Sequence, residues 1–333
     1  MIITRTPFRI TLGGGGTDLP SYYEKRGGFV LAAAIDKYMF LIVNRPAVDD
    51  LIRIKYSRSE TVETRAEVRH DIAREAMDMM GFDNALEIAS LADVPAGTGL
   101  GSSSCYAVGL LHALAALKKE GVTPLTLAER ACELEIRRLG KPIGKQDQYL
   151  AAFGGLRALD ISPEGKVNVR NLRIRPEALE VLSRNLLAFY TGTSRNAEEI
   201  LQRQNQAARE GNDAVMERLD AIKDIGLRTL DALERDEPER IGPLFDEHWT
   251  IKRTLAPGIA NEWIDRVYAS AKESGARGGK VMGAGGGGFF LFYCDHDRDR
   301  LRAAMAGMGL REMRYKFEFE GTRVMADLGG GRR

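Results

Sequence analysis

A glycine-rich turn near the middle of the chain limits the fold more than any other stretch. It reads Val94-Pro95-Ala96-Gly97-Thr98-Gly99-Leu100-Gly101-Ser102-Ser103-Ser104. An extended stretch at 85–89 precedes this central glycine turn, and apolar residues with helical spacing follow it at 106–117. Glycines let the backbone turn its amides onto an anion, and a helix start adds unpaired N–H groups and the positive end of its dipole. The sequence therefore predicts a phosphate site between a strand and a helix.

Two features separate the central glycine turn from other phosphate-binding loops. No lysine follows the glycines, as the common phosphate loop requires, and the third glycine of a dinucleotide-binding fingerprint is missing. The serines Ser102, Ser103 and Ser104 can cap the helix, bind phosphate oxygens or hold a hydrated divalent cation. A plain strand-to-helix turn with a serine N-cap remains an alternative for this stretch alone.

Length, charge and cysteine content narrow the class of protein. With 333 residues the chain exceeds what one hydrophobic core normally supports, so we expect two domains. A net charge of +1 gives no reason to expect nucleic acid or an anionic membrane as a partner. The three cysteines lack metal-ligand or redox spacing and are expected to be buried thiols. We therefore expect a cytoplasmic protein in a reducing compartment.

Two further glycine clusters lie near the two ends of the chain. The first glycine cluster is Gly13-Gly14-Gly15-Gly16, which follows a predicted strand at 2–10 and precedes Thr17-Asp18. Ordering four glycines is entropically unfavourable, so we expect a ligand or another segment to approach them closely. The third glycine cluster is Gly283-Ala284-Gly285-Gly286-Gly287-Gly288. It matches a dinucleotide fingerprint literally, but a predicted strand at 289–293 follows where that fingerprint needs a helix, and a glycine-rich hairpin remains an alternative.

Two carboxylates after the central glycine turn are candidates for chemistry. A helix is predicted to begin after Thr123, and Glu135 falls on its apolar face. A carboxylate there needs a partner, unless its end reaches water at the edge of the face. Asp147 is the best-placed carboxylate for a general base, beside Lys145, although the stretch 142–148 is also consistent with an ordinary polar loop.

The pattern changes after about residue 175. Four helical stretches are predicted between residues 194 and 272, and a strand, a helix and two more strands follow. We therefore predict an N-terminal domain at 1–175 and an α+β C-terminal domain at 176–333. Trp249 and Trp263 could line a homodimer interface or fill the core, and the core is favoured.

The three glycine clusters together resemble the motifs of the galactokinase, homoserine kinase, mevalonate kinase and phosphomevalonate kinase superfamily (GHMP kinases). Residues 7–18 resemble its first motif, 95–104 its second and 283–288 its third, so the match covers nearly the whole chain. Within the superfamily, the chain resembles the bacterial D-glycero-D-manno-heptose 7-phosphate kinases, with fucokinase-like sugar kinases near by, in the stretches at 8–10 with 13–23, 95–104, 144–149 and 189–195. The resemblance implies an α+β two-domain fold, with a ribosomal protein S5 domain 2-like N-terminal domain and a ferredoxin-like, helix-rich C-terminal domain.

The resemblance also implies an activity and its residues. Such enzymes phosphorylate the anomeric hydroxyl of a heptose 7-phosphate, which gives a 1,7-bisphosphate destined for nucleotide-activated heptose and surface polysaccharide. Residues 95–104 would bind ATP, Ser103 and Glu135 would hold Mg²⁺, and Asp147 would be the base with Arg9 paired to it. The implied substrate-binding set adds residues of the first and third glycine clusters, and Lys145 and Arg195 are included for charge and location only. Its members are Gly13, Gly14, Gly15, Gly16, Thr17, Asp18, Lys145, Gln148, Arg195, Gly283, Ala284, Gly285, Gly286 and Gly287.

Three alternatives remain at the level of sequence. Gly15-Gly16 stand where galactokinase has an acidic residue and a histidine, which argues against galactose, but fucose or another sugar stays open. A sensor that binds nucleotide or sugar without turnover is a second alternative, although it would not need Arg9, Glu135 and Asp147 together. A decarboxylase of the same superfamily, acting on an isoprenoid diphosphate, is the third.

Overall fold

The computed structural model describes residues 1–192, 197–209 and 213–329. These residues form twelve strands, which are β1 (Ile2–Gly13), β2 (Gly28–Asn44), β3 (Ile52–Lys55), β4 (Ser59–Val62), β5 (Leu86–Ala92), β6 (Leu156–Ile161), β7 (Val167–Asn171), β8 (Leu186–Tyr190), β9 (Gly278–Val281), β10 (Phe289–Tyr293), β11 (Arg311–Met313) and β12 (Arg323–Asp327). They also form eleven α-helices, which are α1 (Pro20–Arg26), α2 (Asp71–Met79), α3 (Ser102–Leu117), α4 (Pro124–Cys132), α5 (Gln146–Phe153), α6 (Pro176–Asn185), α7 (Ala197–Arg209), α8 (Asp213–Glu234), α9 (Ile241–Lys252), α10 (Glu262–Glu273) and α11 (Arg298–Gly307). A π-helical turn, Glu133–Arg138, continues α4.

The larger sheet is built around the long antiparallel pair β1 and β2. Its strand order is β12-β1-β2-β5-β3-β4, and β6 pairs with β2 and carries β7. Pro7 lies within β1, and the register between β1 and β2 shifts directly after it, which accommodates the missing N–H donor. The apolar helix α3 packs on β1 and β2, so the N-terminal core lies between this helix and the sheet.

The smaller sheet has the order β11-β8-β10-β9, and all of its described pairs are antiparallel. Every residue of β10 is buried, and α9 packs against β9. Trp249 of α9 is 1% exposed and contacts Phe290 edge-on at 6.0 Å between ring centroids. This tryptophan therefore fills the core, as favoured from the sequence.

The first glycine cluster lies where the long helix α8 crosses the larger sheet. A Cβ on Gly13 would lie only 2.7 Å from the Cα of Gly226 in α8, so no side chain fits at this crossing. The expected close approach of another segment is thereby confirmed for the first glycine cluster. The division of the chain at residue 175 stays a proposal, and β12 pairs with β1 in the larger sheet although it follows that boundary.

Several elements differ from the sequence-based expectation. Residues near 315–319 were expected to form a strand, but they make one isolated bridge, between Ile35 and Phe317. Helix α6 and strand β11 were not predicted, and the helix predicted to begin after Thr123 changes to the π-helical turn after Cys132. The three cysteines are free and buried, as expected. Among the described residues, none of the helices has the length and apolar character of a membrane span.

Candidate active site

A cavity of about 350 Å³ is lined by residues of both sheets and of all three glycine clusters. Strand β1 contributes Arg9 and Thr11, and β9 contributes Lys280 and Val281. The glycine clusters contribute Gly15, Gly16, Gly97, Gly99, Gly101, Gly283 and Ala284. Three segments that are distant in sequence therefore meet around one space.

Arg9 and Asp147 form an ion pair in this cavity. Arg9 lies on β1 and is 3% exposed, and Asp147 lies in the first turn of α5. Arg9 Nε donates a hydrogen bond of 2.6 Å to Asp147 Oδ1, and Arg9 Nη1 donates another of 2.6 Å to the carbonyl of Gly99. The pair links the larger sheet, the central glycine turn and α5. A charge-assisted hydrogen bond at this distance fixes the direction of the carboxylate.

The central glycine turn begins α3 without a side-chain cap. Gly101 occupies the N-cap position with φ of 85°, and no side chain in the described part of the chain caps the helix. The serine N-cap alternative is wrong, because Ser102, Ser103 and Ser104 lie inside the first turn of the helix. Ser102 and Ser103 line the cavity, so the unpaired N–H groups of this helix end lie beside it. We call the central glycine turn with this helix end the glycine wall.

The third glycine cluster packs directly against the central glycine turn. A Cβ on Gly283 would lie 2.6 Å from the Cα of Gly99, and a Cβ on Gly99 would lie 2.5 Å from the carbonyl oxygen of Met282. Only glycine permits both contacts, which explains why glycines are needed on both sides. The third glycine cluster joins the antiparallel strands β9 and β10, so the hairpin interpretation is confirmed.

Glu135 is fully buried behind the first turn of α3. Its Oε1 accepts a hydrogen bond of 2.8 Å from Ser103, and its Oε2 accepts bonds of 2.6 Å from Ser104 and 2.8 Å from Gln148. With 0% exposure the carboxylate does not reach water, so that alternative is wrong. Burial raises the pKa of Glu135, and the hydroxyl donors and Lys141 oppose this effect.

The surroundings of Glu135 fit a magnesium ion carried by a nucleotide. Mg²⁺ prefers oxygen ligands and is normally held by one or two carboxylates together with substrate phosphates. Ser103 lines the cavity beside Glu135, and the buried Gln148 Oε1 has no hydrogen-bond partner among the described residues. The described chain has no cluster of three or more histidine, cysteine, aspartate or glutamate side chains, so a metal here would depend on phosphate oxygens.

Asp18 closes another side of the cavity. It is 1% exposed, and its two oxygens accept main-chain hydrogen bonds of 3.1 Å from Gly16 and Gln146. Burial raises the pKa of Asp18, and the charge of Asp147 raises it further. Thr11 donates a bond of 2.6 Å to Gln146 Oε1, so Thr11 and Gln146 add polar groups that were not predicted.

Part of the predicted substrate set lies outside the cavity lining. The hydroxyl of Thr17 bonds to the carbonyls of Gly14 and Phe29 and is fully buried, so it holds the loop together. Gly13 and Gly14 likewise pack inside the fold. The prediction placed the whole loop around the ligand, whereas Gly15, Gly16 and Asp18 are the members that line the cavity.

The basic and amide side chains near Asp147 also need correction. Lys145 turns away from the cavity, where its amine donates to the carbonyl of Gly165 and lies over the ring of Tyr23. Gln148 is fully buried against Glu135 and does not line the cavity. Arg195 lies outside the described residues.

Some of the remaining predicted residues line the cavity, and others do not. Four of the residues predicted to bind ATP do not line the cavity: Thr98, Leu100 and Ser104 are buried, and Pro95 is exposed. In the third glycine cluster, Gly283 and Ala284 line the cavity. The predicted members outside that lining are Gly285, Gly286 and Gly287.

Four basic side chains that were not predicted also line the cavity. One is Lys141, which is paired with Asp71, and the other three are His248, Lys252 and Lys280, which we call the basic wall. His248 and Lys252 lie four residues apart on α9 and so share one face of that helix. Lys280 lies on β9, three residues before the third glycine cluster. The i, i+4 spacing was a usable signal, but nothing local connects α9 with β9.

The basic wall carries positive charge in a poorly solvated place. Burial, and next the charge of Arg9, lowers the pKa of Lys252 from 10.5 to about 7. Burial and the neighbouring Lys252 hold the pKa of Lys280 well below its usual range. Burial and both lysines do the same to the pKa of His248. For all three groups burial is the largest cause of the lowered pKa, and neighbouring positive charge lowers it further.

Comparison with known families agrees with this architecture. Residues 60–155 match the N-terminal domain model of the GHMP kinases, and residues 229–309 match their C-terminal model. The matched segments contain the central glycine turn, Glu135 and Asp147 on one side, and the basic wall with the third glycine cluster on the other.

Individual relatives point the same way. The chain is 29% identical over 315 residues to the D-glycero-alpha-D-manno-heptose 7-phosphate kinase of Campylobacter jejuni subsp. jejuni, covering 88% of this chain and 89% of that protein. It is 25% identical over 311 residues to the bifunctional fucokinase/GDP-fucose pyrophosphorylase of Arabidopsis thaliana, covering 86% of this chain but 29% of that protein.

A solved structure supports the fold. The crystal structure of a D-glycero-D-manno-heptose 1-phosphate kinase from Bacteroides thetaiotaomicron superposes with a TM-score of 0.80 at 22% identity, covering 99% of this chain and 100% of that one. The expected two-domain fold of mixed α and β content is therefore confirmed. The chain belongs to the GHMP kinases and is a phosphotransferase that acts on a sugar hydroxyl group.

Proposed function

We propose that the protein transfers the γ-phosphoryl group of ATP to the C1 hydroxyl of D-glycero-D-manno-heptose 7-phosphate. The product would be the 1,7-bisphosphate, which serves the synthesis of nucleotide-activated heptose and surface polysaccharide. The observation that carries this proposal is the Arg9–Asp147 ion pair, at 2.6 Å, inside a cavity lined by all three glycine clusters. The name of the relative in Campylobacter jejuni supports the choice of sugar.

Asp147 is proposed as the general base. An anomeric hydroxyl still holds its proton at neutral pH, so a carboxylate must receive the proton as the new O–P bond forms. Arg9 supports this role because its hydrogen bond of 2.6 Å directs the carboxylate of Asp147. The carbonyl of Gly99 holds the guanidinium of Arg9 in place at 2.6 Å.

The glycine wall is proposed to bind the phosphates of ATP. Phosphoryl transfer depends mostly on positioning and on neutralising charge, and the uncapped N-terminus of α3 supplies both N–H donors and a favourable dipole. Gly97, Gly99 and Gly101 expose main chain to the cavity without side chains in the way. Pro95, Thr98, Leu100 and Ser104 would act by shaping this turn.

Ser103 and Glu135 are proposed to hold Mg²⁺ together with phosphate oxygens. When bound, the ion would neutralise charge on the transferring phosphoryl group. The role of Gln148 is to orient Glu135 through its bond of 2.8 Å. Ser104 bonds to the same Oε2 atom and assists this orientation.

Gly15, Gly16, Asp18, Gly283 and Ala284 are proposed to contact the acceptor sugar. Asp18 faces the cavity with both oxygens fixed by main-chain donors, which prepares a carboxylate to accept bonds from sugar hydroxyls. Fucose remains a second candidate acceptor because of the similarity to the fucokinase of Arabidopsis thaliana. A cytoplasmic location and a homodimer remain predictions.

The experiment is an acceptor screen with the purified enzyme, ATP and Mg²⁺. ADP release is measured with heptose 7-phosphate, mannose, mannose 6-phosphate and fucose, and ³¹P NMR identifies the product. We expect the highest kcat/KM for heptose 7-phosphate and a phosphate on C1. Preference for fucose, phosphorylation elsewhere, or absence of ADP release with every sugar would overturn the proposal.

A further inference from the structure

The basic wall has more positive charge than the cavity neutralises. Among the described residues, the charged side chains of the lining are four basic and two acidic. They are Arg9, Lys141, Lys252, Lys280, Asp18 and Asp147. Arg9 is paired with Asp147 at 2.6 Å, and Lys141 is paired with Asp71 at 3.3 Å. Lys252 and Lys280 form no ion pair with any described carboxylate.

The two lysines of the wall are instead held by main-chain carbonyls. Lys252 Nζ donates to Val281 at 3.0 Å and to Gly283 at 2.6 Å. Lys280 Nζ donates to Leu12 at 2.9 Å and lies 4.7 Å from the ring centroid of Phe245. An ammonium has three donors, so each amine is fixed in place and keeps at least one donor for a ligand. Neutral carbonyls orient these charges without neutralising them.

His248 completes the wall and independently points to a ligand. Its side chain is 1% exposed and lines the cavity, and its Nδ1 has no hydrogen-bond partner among the described residues. A buried polar nitrogen without a partner is unfavourable by itself. Two unpaired ammonium groups beside it make this a built site for an anion, since unpaired buried charge is also unfavourable.

The position of the basic wall indicates which of two anions, ATP or the phosphate of the acceptor sugar, it would bind. The N–H groups proposed for ATP belong to the central glycine turn, whereas Lys280 is bound to Leu12, directly before the first glycine cluster. That cluster provides the loop around Asp18, which lies on the proposed sugar side of the cavity. Lys252 lies between the two sides, because its partner Gly283 packs against Gly99.

We propose that Lys280, Lys252 and His248 form the subsite for the phosphomonoester carried by the acceptor sugar. The inference rests on the proposed function and refines it, since it explains how the enzyme selects a phosphorylated sugar over the free sugar. A phosphomonoester carries close to two negative charges at neutral pH and three strong acceptor oxygens, which matches two ammonium groups and one ring nitrogen.

The test compares a phosphorylated acceptor with its free counterpart. Calorimetric titration without nucleotide measures the Kd of heptose 7-phosphate and of the free heptose for the wild type and for Lys280→Met. Losing a hydrogen bond to a charged group should weaken binding of heptose 7-phosphate about 10- to 150-fold. Binding of the free heptose and the KM for ATP should stay within about threefold, and Lys280→Arg should recover part of the loss.

Lys223→Met is the matched control. The amine of Lys223 also donates to two main-chain carbonyls, of Arg26 at 2.8 Å and of Gly27 at 3.0 Å, but it lies outside this cavity. His248→Asn serves as a second variant if Lys280→Met does not fold, and it should weaken heptose 7-phosphate binding in the same selective way.

The outcomes separate this inference from the proposed function. Equal loss for both acceptors, a raised KM for ATP, or unchanged binding of heptose 7-phosphate would overturn the subsite. Selective loss of heptose 7-phosphate binding would support the subsite even if turnover assays placed the new phosphate on another hydroxyl, which would contradict only the proposed function.

Discussion

The two walls of the cavity bind charge by different means. The glycine wall offers main-chain N–H groups of one continuous segment, and the carboxylate behind it, Glu135, is satisfied by three side-chain donors. The basic wall offers side-chain charges from α9 and β9, and these are held only by main-chain carbonyls. A main-chain site is encoded locally and is recognisable as a motif, whereas a side-chain site is assembled by the fold from separate segments. Asp147 lies beside the glycine wall, since a Cβ on Gly101 would lie 3.1 Å from its carboxyl carbon.

The largest expected effect tests the role of Asp147 as the general base. Asp147→Asn should lower kcat by about 10²- to 10⁴-fold, because an amide cannot receive the proton of the sugar hydroxyl. Binding of ATP at the glycine wall should persist. The measurements are steady-state ADP release and calorimetric titration with ATP.

Asp160→Asn is the matched control for this prediction. Asp160 also pairs with an arginine, Arg170, at 2.7 Å, but it lies on the larger sheet away from the cavity. Turnover of this variant should be close to wild type. Near-normal turnover of Asp147→Asn would remove Asp147 from the mechanism.

The next effect tests whether the glycine wall binds metal. Glu135→Gln should raise the Mg²⁺ concentration needed for half-maximal rate by about 10- to 100-fold, because a neutral amide is a poor ligand for a hard cation. Glu133→Gln is the control, since Glu133 belongs to the same π-helical turn but is paired with Arg137 at the surface. An unchanged Mg²⁺ requirement in Glu135→Gln would refute the ligand role.

The pH dependence of binding should distinguish the basic wall from the glycine wall. Burial lowers the pKa of Lys252 to about 7, so its amine is charged below that pH and neutral above it. Arg9, Lys280 and His248 face it and Asp147 lies nearby, and an anion at the basic wall favours the charged form. Affinity for heptose 7-phosphate should therefore fall as pH rises above 7, by up to about tenfold per unit.

Calorimetric titration between pH 7 and 9 measures this dependence, above the second ionisation of the phosphate near pH 6. Lys252→Arg should make the curve less steep, because arginine stays charged throughout this range and Lys280, whose pKa is also lowered, still titrates. ATP binding should change little, since main-chain N–H groups do not titrate. A flat curve for the wild type would contradict the placement of phosphate beside Lys252.

The smallest expected effect concerns the start of α4, the helix that continues into the π-helical turn carrying Glu135. Thr123 caps α4 by accepting a hydrogen bond of 3.1 Å from the N–H of Thr126. Thr123→Ala should lower the free energy of unfolding by about 1 kcal/mol and leave the Mg²⁺ requirement unchanged. Urea denaturation measures the first and the rate assay the second. A changed Mg²⁺ requirement would mean that the helix start adjusts Glu135 from a distance.

Local patterns were sufficient to predict much of the fold and part of the site. The strand, glycine turn and helix around residues 86–117 were predicted because each is specified by neighbouring residues. The buried position of Glu135 followed from helical spacing, but the π-helical turn that carries it did not. The sequence also did not indicate which neighbours of Asp147 line the cavity and which are buried. Gln146 and Asp147 line the cavity, whereas Lys145 and Gln148 do not, and only tertiary packing decides which face of this turn meets the ligand.

The basic wall shows why the rest could not be predicted. Lys252 and Lys280 become neighbours only when α9 packs on β9, and neither lysine has a local pattern that marks it as buried. Strand β11 is only three residues long, and helix α6 has a start signal, Pro176 at its first position, but no glycine at its end. Such features depend on long-range packing, which overrides local preference.

The pairing of β12 with β1 has a consequence for biosynthesis. Ile2 of β1 lies opposite Asp327 of β12. One edge of the strand that carries Arg9 is therefore covered by residues that are synthesised more than three hundred residues later. While the ribosome is still producing the helical region, this edge of β1 stays open and can attract other nascent chains. Completion of the larger sheet must await the emergence of β12, so we expect assembly of this sheet to be limited by late docking of that strand.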